Sequence, residues 1–251
     1  LLYIVLPRYK IEIQYLGSAF SGWQKQCEAH TVQAEIESAL TILNKGNRIP
    51  VTGAGRTDSG VHALGQVAHF DFDTIMTSCD LKDAINGNMC DTVQVRTCGV
   101  ARPEFHARYS ATNRHYVYSC RTDDQILDSA IVWKTGPLNL STLNTVASEI
   151  VGEHDFTSFA KQNPETENYL CTVSHSLWLE KNGIVNYEVT ANRFLHHMVR
   201  YLVGTMVEIS RNNYPMNDFI KLLKHPKENV HIFKAPPQGL RLEKVIYNEL
   251  D

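Results

Sequence analysis

The sequence has no CxxC pair, no Gly-Lys-Ser/Thr run, no apolar stretch approaching the length of a transmembrane helix and no excess of basic charge. Each absence excludes something. Six cysteines, Cys27, Cys79, Cys90, Cys98, Cys120 and Cys171, scattered through 251 residues, suit neither a zinc framework nor a small disulfide scaffold. They fit reduced thiols in a cytoplasmic protein, serving as small buried hydrophobes. With 24 basic against 27 acidic residues, the chain cannot coat nucleic acid through bulk charge, so a nucleic-acid partner needs a local basic patch. No run of about 20 apolar residues is present to span a bilayer. The opening "LLYIVL" has no basic flank or small-residue cleavage site and is expected to belong to the fold rather than to a signal peptide. The 43% hydrophobic and 20% charged content is that of an ordinary globular protein, large enough for one domain or two.

What is present reads as an alternation of strands and helices. "KIEIQY" at 10–15 alternates with Ile11, Ile13 and Tyr15 on one face, a half-buried strand. Thr31 can cap a helix in which Val32, Ile36, Ala39, Leu40 and Leu43 recur at helical spacing. Strands at 48–53 and 66–73 follow, the second with Ala68, Phe70 and Phe72 opposite Val67, His69 and Asp71. Then come a helix at 79–88, with Ser78 as its cap and Leu81 and Ile85 inward, and a strand at 92–101. The second half repeats the order. A strand at 114–121 precedes a helix at 141–151, with Leu143, Val146, Ile150 and Val151 inward and Gly152 as its stop. A hairpin turns at Asn182-Gly183, a helix covers 195–210, and "GLRLEKVIY" is a terminal strand. Two β-α-β-β-α-β units predict an α+β fold of two ferredoxin-like halves, 1–110 and 111–251. Each half offers one sheet face to its helices and leaves the other for a large ligand.

The stretch "GAGRTDSGVHALGQ" from Gly53 has the glycine density of a phosphate cradle. A dinucleotide fingerprint nevertheless fails, because Asp58 stands where the third glycine belongs and a strand, not a helix, follows. The plain reading is a turn in which glycines supply positive φ and Asp58 caps the backbone. The context adds to it. "GRTDSGVHALGQ" resembles the central motif of the TruA-type tRNA pseudouridine synthases. Further resemblances follow in that family's order: "FSGWQKQ", "TVQAEIESAL", "FHARYSATNRHYVY", "HDFTSFA", "FLHHMVRYLVG" and "GLRLEKVIY". Two places depart from it: Tyr15-Leu16-Gly17 where the family reads Tyr-Asp-Gly, and "NGNMC" at 86–90 where it reads Asn-x-x-Leu-Pro.

The resemblance implies the two halves joined in one extended, mostly antiparallel sheet, with helices on one face and a central RNA-binding cleft. It implies isomerisation of uridine to pseudouridine at tRNA positions 38, 39 and 40 of the anticodon stem-loop, by a homodimer using no cofactor and no metal. The glycosidic bond breaks, the uracil turns, and a carbon–carbon bond forms to the same ribose. A carboxylate beside the sugar and base serves such chemistry as nucleophile or base. By resemblance it is Asp58, kept ionised by Arg200, with Arg56 close by in the same loop. Tyr116 corresponds to the family's stacking tyrosine, and a stacked base returns about 1–3 kcal/mol against the few that flipping costs. Leu240 corresponds to the apolar border of the uracil pocket. The alternative is a non-catalytic RNA-binding or chaperone module of the same fold.

RNA contact is expected from Arg102, Arg108, Arg114 and Arg121, interleaved with Phe105, His106, Tyr109, His115 and Tyr116 and extended by Arg193 and Arg211. His196 and His197, as neighbours on a helix, point about 100° apart and cannot chelate one ion together. Asp71 and Asp73 read as exposed strand residues rather than an acid–base pair.

Overall fold

Alternation in "RYKIEIQY" forms β1 (Arg8–Tyr15), burying Tyr9, Ile11, Ile13 and Tyr15 and leaving the intervening residues partly exposed. The structure, a computed structural model, describes residues 6–248, so most of the "LLYIVL" opening lies outside the described residues. Helix α1 (Val32–Leu43) starts where Thr31 Oγ1 accepts the Ala34 amide at 3.4 Å, and it buries Ile36, Ala39 and Leu40. A two-residue β2 (Thr52–Gly53) leads through the glycine loop into β3 (His62–Asp71). Helix α2 (Ser78–Asn86) and β4 (Val93–Ala101) follow. The cap of α2 is Thr77 rather than Ser78, its Oγ1 accepting the Asp80 amide at 3.2 Å.

The next elements are β5 (Ala111–Arg121), β6 (Trp133–Lys134), α3 (Leu140–Ser148), β7 (Gly152–Asp155), β8 (Leu170–Lys181) and β9 (Ile184–Ala191). They are followed by α4 (Met198–Ser210), α5 (Met216–Lys224) and β10 (Leu240–Tyr247). Helix α3 stops at Ser148, and Gly152, with φ +117, opens β7 instead of ending the helix. The β8–β9 turn has φ +54 at Asn182 and +75 at Gly183, the double positive φ of a type I′ hairpin. Short β6 and β7 and amphipathic α5 have no counterpart in the periodicity reading.

The chain divides into two compact units. One runs to Thr112 and takes in the chain from Leu242 onward; the other is Asn113–Arg241. The terminal strand, expected with the second half, thus packs mostly with the first. In the first unit the strand order is β4-β1-β3-β10, with β2 also on β3. This preserves the ferredoxin-like order while giving β3 an extra neighbour. β1 is antiparallel to both neighbours, with Ile11 opposite Ala68 and Cys98. In the second unit the order is β5-β9-β8-β7, antiparallel throughout, with β6 parallel to β5.

β3 departs from a half-exposed strand. Gln66, Val67 and His69 are buried as well as Ala68 and Phe70. The segment after β4 supplies the cover: the Ala107 amide donates to His69 Nδ1 at 3.1 Å, and Phe105 meets the imidazole edge-on at 6.1 Å. Tyr247 of β10 donates its hydroxyl to the Ala107 carbonyl at 2.7 Å. Arg8 pairs bidentately with Asp71 at 2.7 and 2.8 Å and reaches the Pro103 and Phe105 carbonyls. Asp71 is therefore a half-buried structural partner, whereas Asp73 lies beyond the strand. The cysteines divide too: Cys120 and Cys171 are buried, Cys90 and Cys98 half-buried, and Cys27 and Cys79 exposed.

Burial, with His106 and Arg8 adding repulsion, pushes the His69 imidazole down from 6.5 to about 4. Between those values the unfolded chain binds a proton that the folded one does not, so acid favours unfolding there. The urea midpoint is expected to fall as pH drops from about 6.5 to about 4, and His69→Gln, which keeps an acceptor for Ala107, should flatten the fall. Below that window, loss of stability passes to Asp71, whose carboxyl the Arg8 hydrogen bonds hold below its ordinary 3.8.

Candidate active site

The loop from Ala54 to Val61 is fixed at both ends by backbone. The Ala54 amide donates to the Val67 carbonyl at 2.7 Å, and the Val61 amide to the Asp58 carbonyl at 3.1 Å. The second bond closes a turn over Asp58, Ser59 and Gly60, with φ +80 at Gly60 in the third position, as a type II turn requires. The three glycines therefore do different things. Gly60 supplies positive φ; a Cβ on Gly53 would sit 2.5 Å from the Trp23 ring; Gly55 has open space around it and no positive φ.

"FSGW" braces the loop from behind. The Trp23 amide donates to the Thr57 carbonyl at 3.1 Å and Ser59 Oγ to the Phe20 carbonyl at 3.3 Å. Thr57 Oγ1 shares a 2.8 Å hydrogen bond with the Tyr15 hydroxyl. Burial pushes that phenol up to about 12, so it keeps its proton at neutral pH. Gly22, with φ +98, lies so close that a Cβ would be 2.9 Å from the Thr57 carbonyl oxygen and 3.2 Å from the Ser59 amide. The same segment satisfies the first turn of α1, whose Val32 and Gln33 amides donate to the Gly22 and Trp23 carbonyls. Asp58 is half-buried at the tip of this braced loop, while Arg56 is exposed and makes no ion pair among the described residues.

The other predicted site residues divide between the units. Arg102 and Arg108 are exposed in the first unit, with Arg108 over the Tyr109 ring at 5.7 Å. In the second, Arg200 sits in the first turn of α4 and is only 8% exposed, which excludes a solvated helix arginine. Its Nε donates to the Ala235 carbonyl at 2.8 Å, and the Ala235 amide returns a bond to the Arg200 carbonyl at 2.9 Å. Tyr116, equally buried, lies opposite Val189 and meets Phe194 edge-on at 5.0 Å. Tyr118 is a core residue whose hydroxyl donates to the Pro236 carbonyl at 2.8 Å. Leu240 is buried at the start of β10, and Arg114 donates to the Asn192 carbonyl at 2.8 Å.

Three expectations need correction. Arg121 is buried, hydrogen-bonded to Asp123 and Gln125 and tightly paired with Asp128, so it holds its own loop rather than facing RNA. Arg211 is engaged by Glu208 at 2.6 Å and by the Thr135 carbonyl. His196 and His197 precede α4, His197 having φ +65, and their rings lie 4.1 Å apart, so the helical-spacing argument about chelation does not apply. Sequence reasoning also missed the bracing residues Tyr15, Gly22 and Thr57, and a cluster of His30, Glu35 and Cys90 whose ligand atoms lie within 4.8 Å of one another. Their positions, 60 and 55 residues apart along the chain for Cys90, give no local motif.

A family model described as tRNA pseudouridine synthase matches residues 11–110 and 146–248. A protein of Shewanella denitrificans named tRNA pseudouridine synthase A is 36% identical over 246 residues, covering 96% of this chain and 94% of that protein. One of the same name from Ehrlichia chaffeensis is 37% identical, covering 96% of this chain and 100% of its own length. Another, from Wolbachia pipientis wMel, is 35% identical with the same coverage.

The packing distinguishes a glycine of the bracing segment from one of the loop. Gly22→Ala combines positive φ with a backbone collision and is expected to destabilise the fold by roughly 1–3 kcal/mol. Gly55→Ala, in open space, should be close to neutral, and equilibrium urea unfolding of the two variants checks the contrast.

Proposed function

Since this chain belongs to the tRNA pseudouridine synthase family, whose members isomerise uridine to pseudouridine in tRNA, we propose that it acts at positions 38, 39 and 40 of the anticodon stem-loop. Asp58 is the catalytic carboxylate. The observation that carries the reading is the loop around it: "GRTDSG" holds a half-buried carboxylate on a turn clamped by backbone on both sides. Pre-positioning of this kind is what a reaction limited by geometry rewards. In the reaction the N1–C1′ bond of the target nucleotide breaks and a C5–C1′ bond forms. The C5 proton passes to water and N1 gains a proton, so redox state and composition are unchanged.

Arg200 is assigned to favour the ionised form of Asp58. Tyr116, its ring set edge-on by Phe194, is assigned to stack on the flipped uracil, and Leu240 to border the base. Arg56 and the reduced patch of Arg102, Arg108 and Arg114, with Arg193, supply phosphate contacts. We further propose a homodimer working in the cytoplasm; no described helix is long and apolar enough to cross a membrane.

Release of tritium from tRNA labelled at uracil C5 tests the assignment. Asp58→Asn is expected to lose at least about 100-fold in rate while still binding tRNA; release at the wild-type rate would remove Asp58 from the chemistry. Binding without release by the wild type would instead identify an RNA-binding module. Transcripts carrying a single uridine at 38, 39 or 40 test the positions. Arg102→Ala, Arg108→Ala and Arg114→Ala should each weaken binding and lower the salt slope by about one.

A further inference from the structure

We propose that His30, Glu35 and Cys90 form a binding site for a divalent cation of the zinc class. The site lies within the first unit and is independent of the catalytic reading. Its donors come from three separate places: the residue before the cap of α1, the first turn of α1, and the loop after α2. Imidazole nitrogen, carboxylate oxygen and thiolate sulfur together form a donor set that favours zinc over calcium or magnesium. His30 Nε2 and a Glu35 oxygen are 3.0 Å apart, and all three ligand atoms fall within 4.8 Å. Ligands on one tetrahedral zinc stand roughly 3–4 Å apart, so the cluster needs only a small contraction.

The surroundings orient each donor. His30 Nδ1 lies 3.2 Å from the Ala19 carbonyl; with Nδ1 carrying the proton and donating there, Nε2 offers its lone pair to an ion. The ring also packs on Phe20 at 4.7 Å. One Glu35 oxygen accepts the Cys90 amide at 2.8 Å, turning the other toward His30. Cys90 Sγ lies 3.1 Å from Thr92 Oγ1, a hydroxyl suited to a thiolate. The "NGNMC" departure matters here, because a proline at position 90 would have neither an amide proton nor a thiol. His30 is exposed, which gives an ion a route in and leaves a fourth position for water.

Cobalt(II) is titrated into protein stripped with a chelator, and the thiolate-to-cobalt charge-transfer band is followed. The wild type should show the band at a stoichiometry of one, and zinc should abolish it. Cys90→Ser should lose the band, and His30→Ala should weaken binding by at least about tenfold. Cys27→Ser and Cys79→Ser, at exposed thiols, should retain it. In the unaltered fold, zinc should protect Cys90 from alkylation, which covers the case of a variant that does not fold. No band in the wild type, a band surviving in Cys90→Ser, or Cys90 alkylated equally with and without zinc would overturn the proposal.

Discussion

The first unit turns on an approach of two backbones too close for side chains. The segment Gly17–Trp23 lies directly against the loop Thr57–Val61; a Cβ on Gly17 would fall 2.0 Å from the Val61 carbonyl oxygen, and one on Gly22 2.9 Å from that of Thr57. On its other side this segment gives two carbonyls to the orphan amides of α1. Helix, wedge and loop are thereby one mechanical piece, and the half-buried Asp58 inherits its position from it. Tyr15, whose β1 position is set by the hydrophobic alternation, completes the piece through Thr57. The path from strand pattern to carboxylate placement passes through a handful of hydrogen bonds.

Charge is divided in a way that composition cannot express. Arg8, Arg121 and Arg211 each hold a loop or strand end through carboxylates and carbonyls. Arginine suits such work because its planar fork bonds several acceptors at once. The arginines proposed above to meet a polyanion are a short set, the exposed Arg56, Arg102, Arg108 and Arg193 and the half-buried Arg114, in a protein of net charge −3. Binding through so few cations depends on where they stand rather than on bulk attraction.

The sequence was legible where local physics decides. Alternation announced β1, the cap at Thr31 announced α1, and Asn182-Gly183 announced its hairpin. It was less legible where a distant segment intervenes. The second face of β3 is covered by Phe105 and Ala107, and Arg121 is captured by Asp128, neither of which a period of two reveals. Helix α4 begins later than its apolar pattern because His197 takes a left-handed conformation. At the site, the motif around Asp58 pointed to the loop. The reasons for its glycines did not follow from glycine's freedom alone, since Gly53 is required by the bulk of Trp23 and Gly55 by neither space nor torsion.

That contact between Trp23 and Gly53 has an optical side. The indole is 2% exposed and rests on the backbone at the entrance to the Asp58 loop, with its own amide bonded to Thr57 inside it. The chain has three tryptophans, and the other two, Trp133 and Trp178, belong to the second unit. A protein carrying only Trp23 would therefore emit from a single position in contact with the loop. Any rearrangement there on meeting substrate would shift the colour and intensity of that light, making one of the loop's supports its reporter.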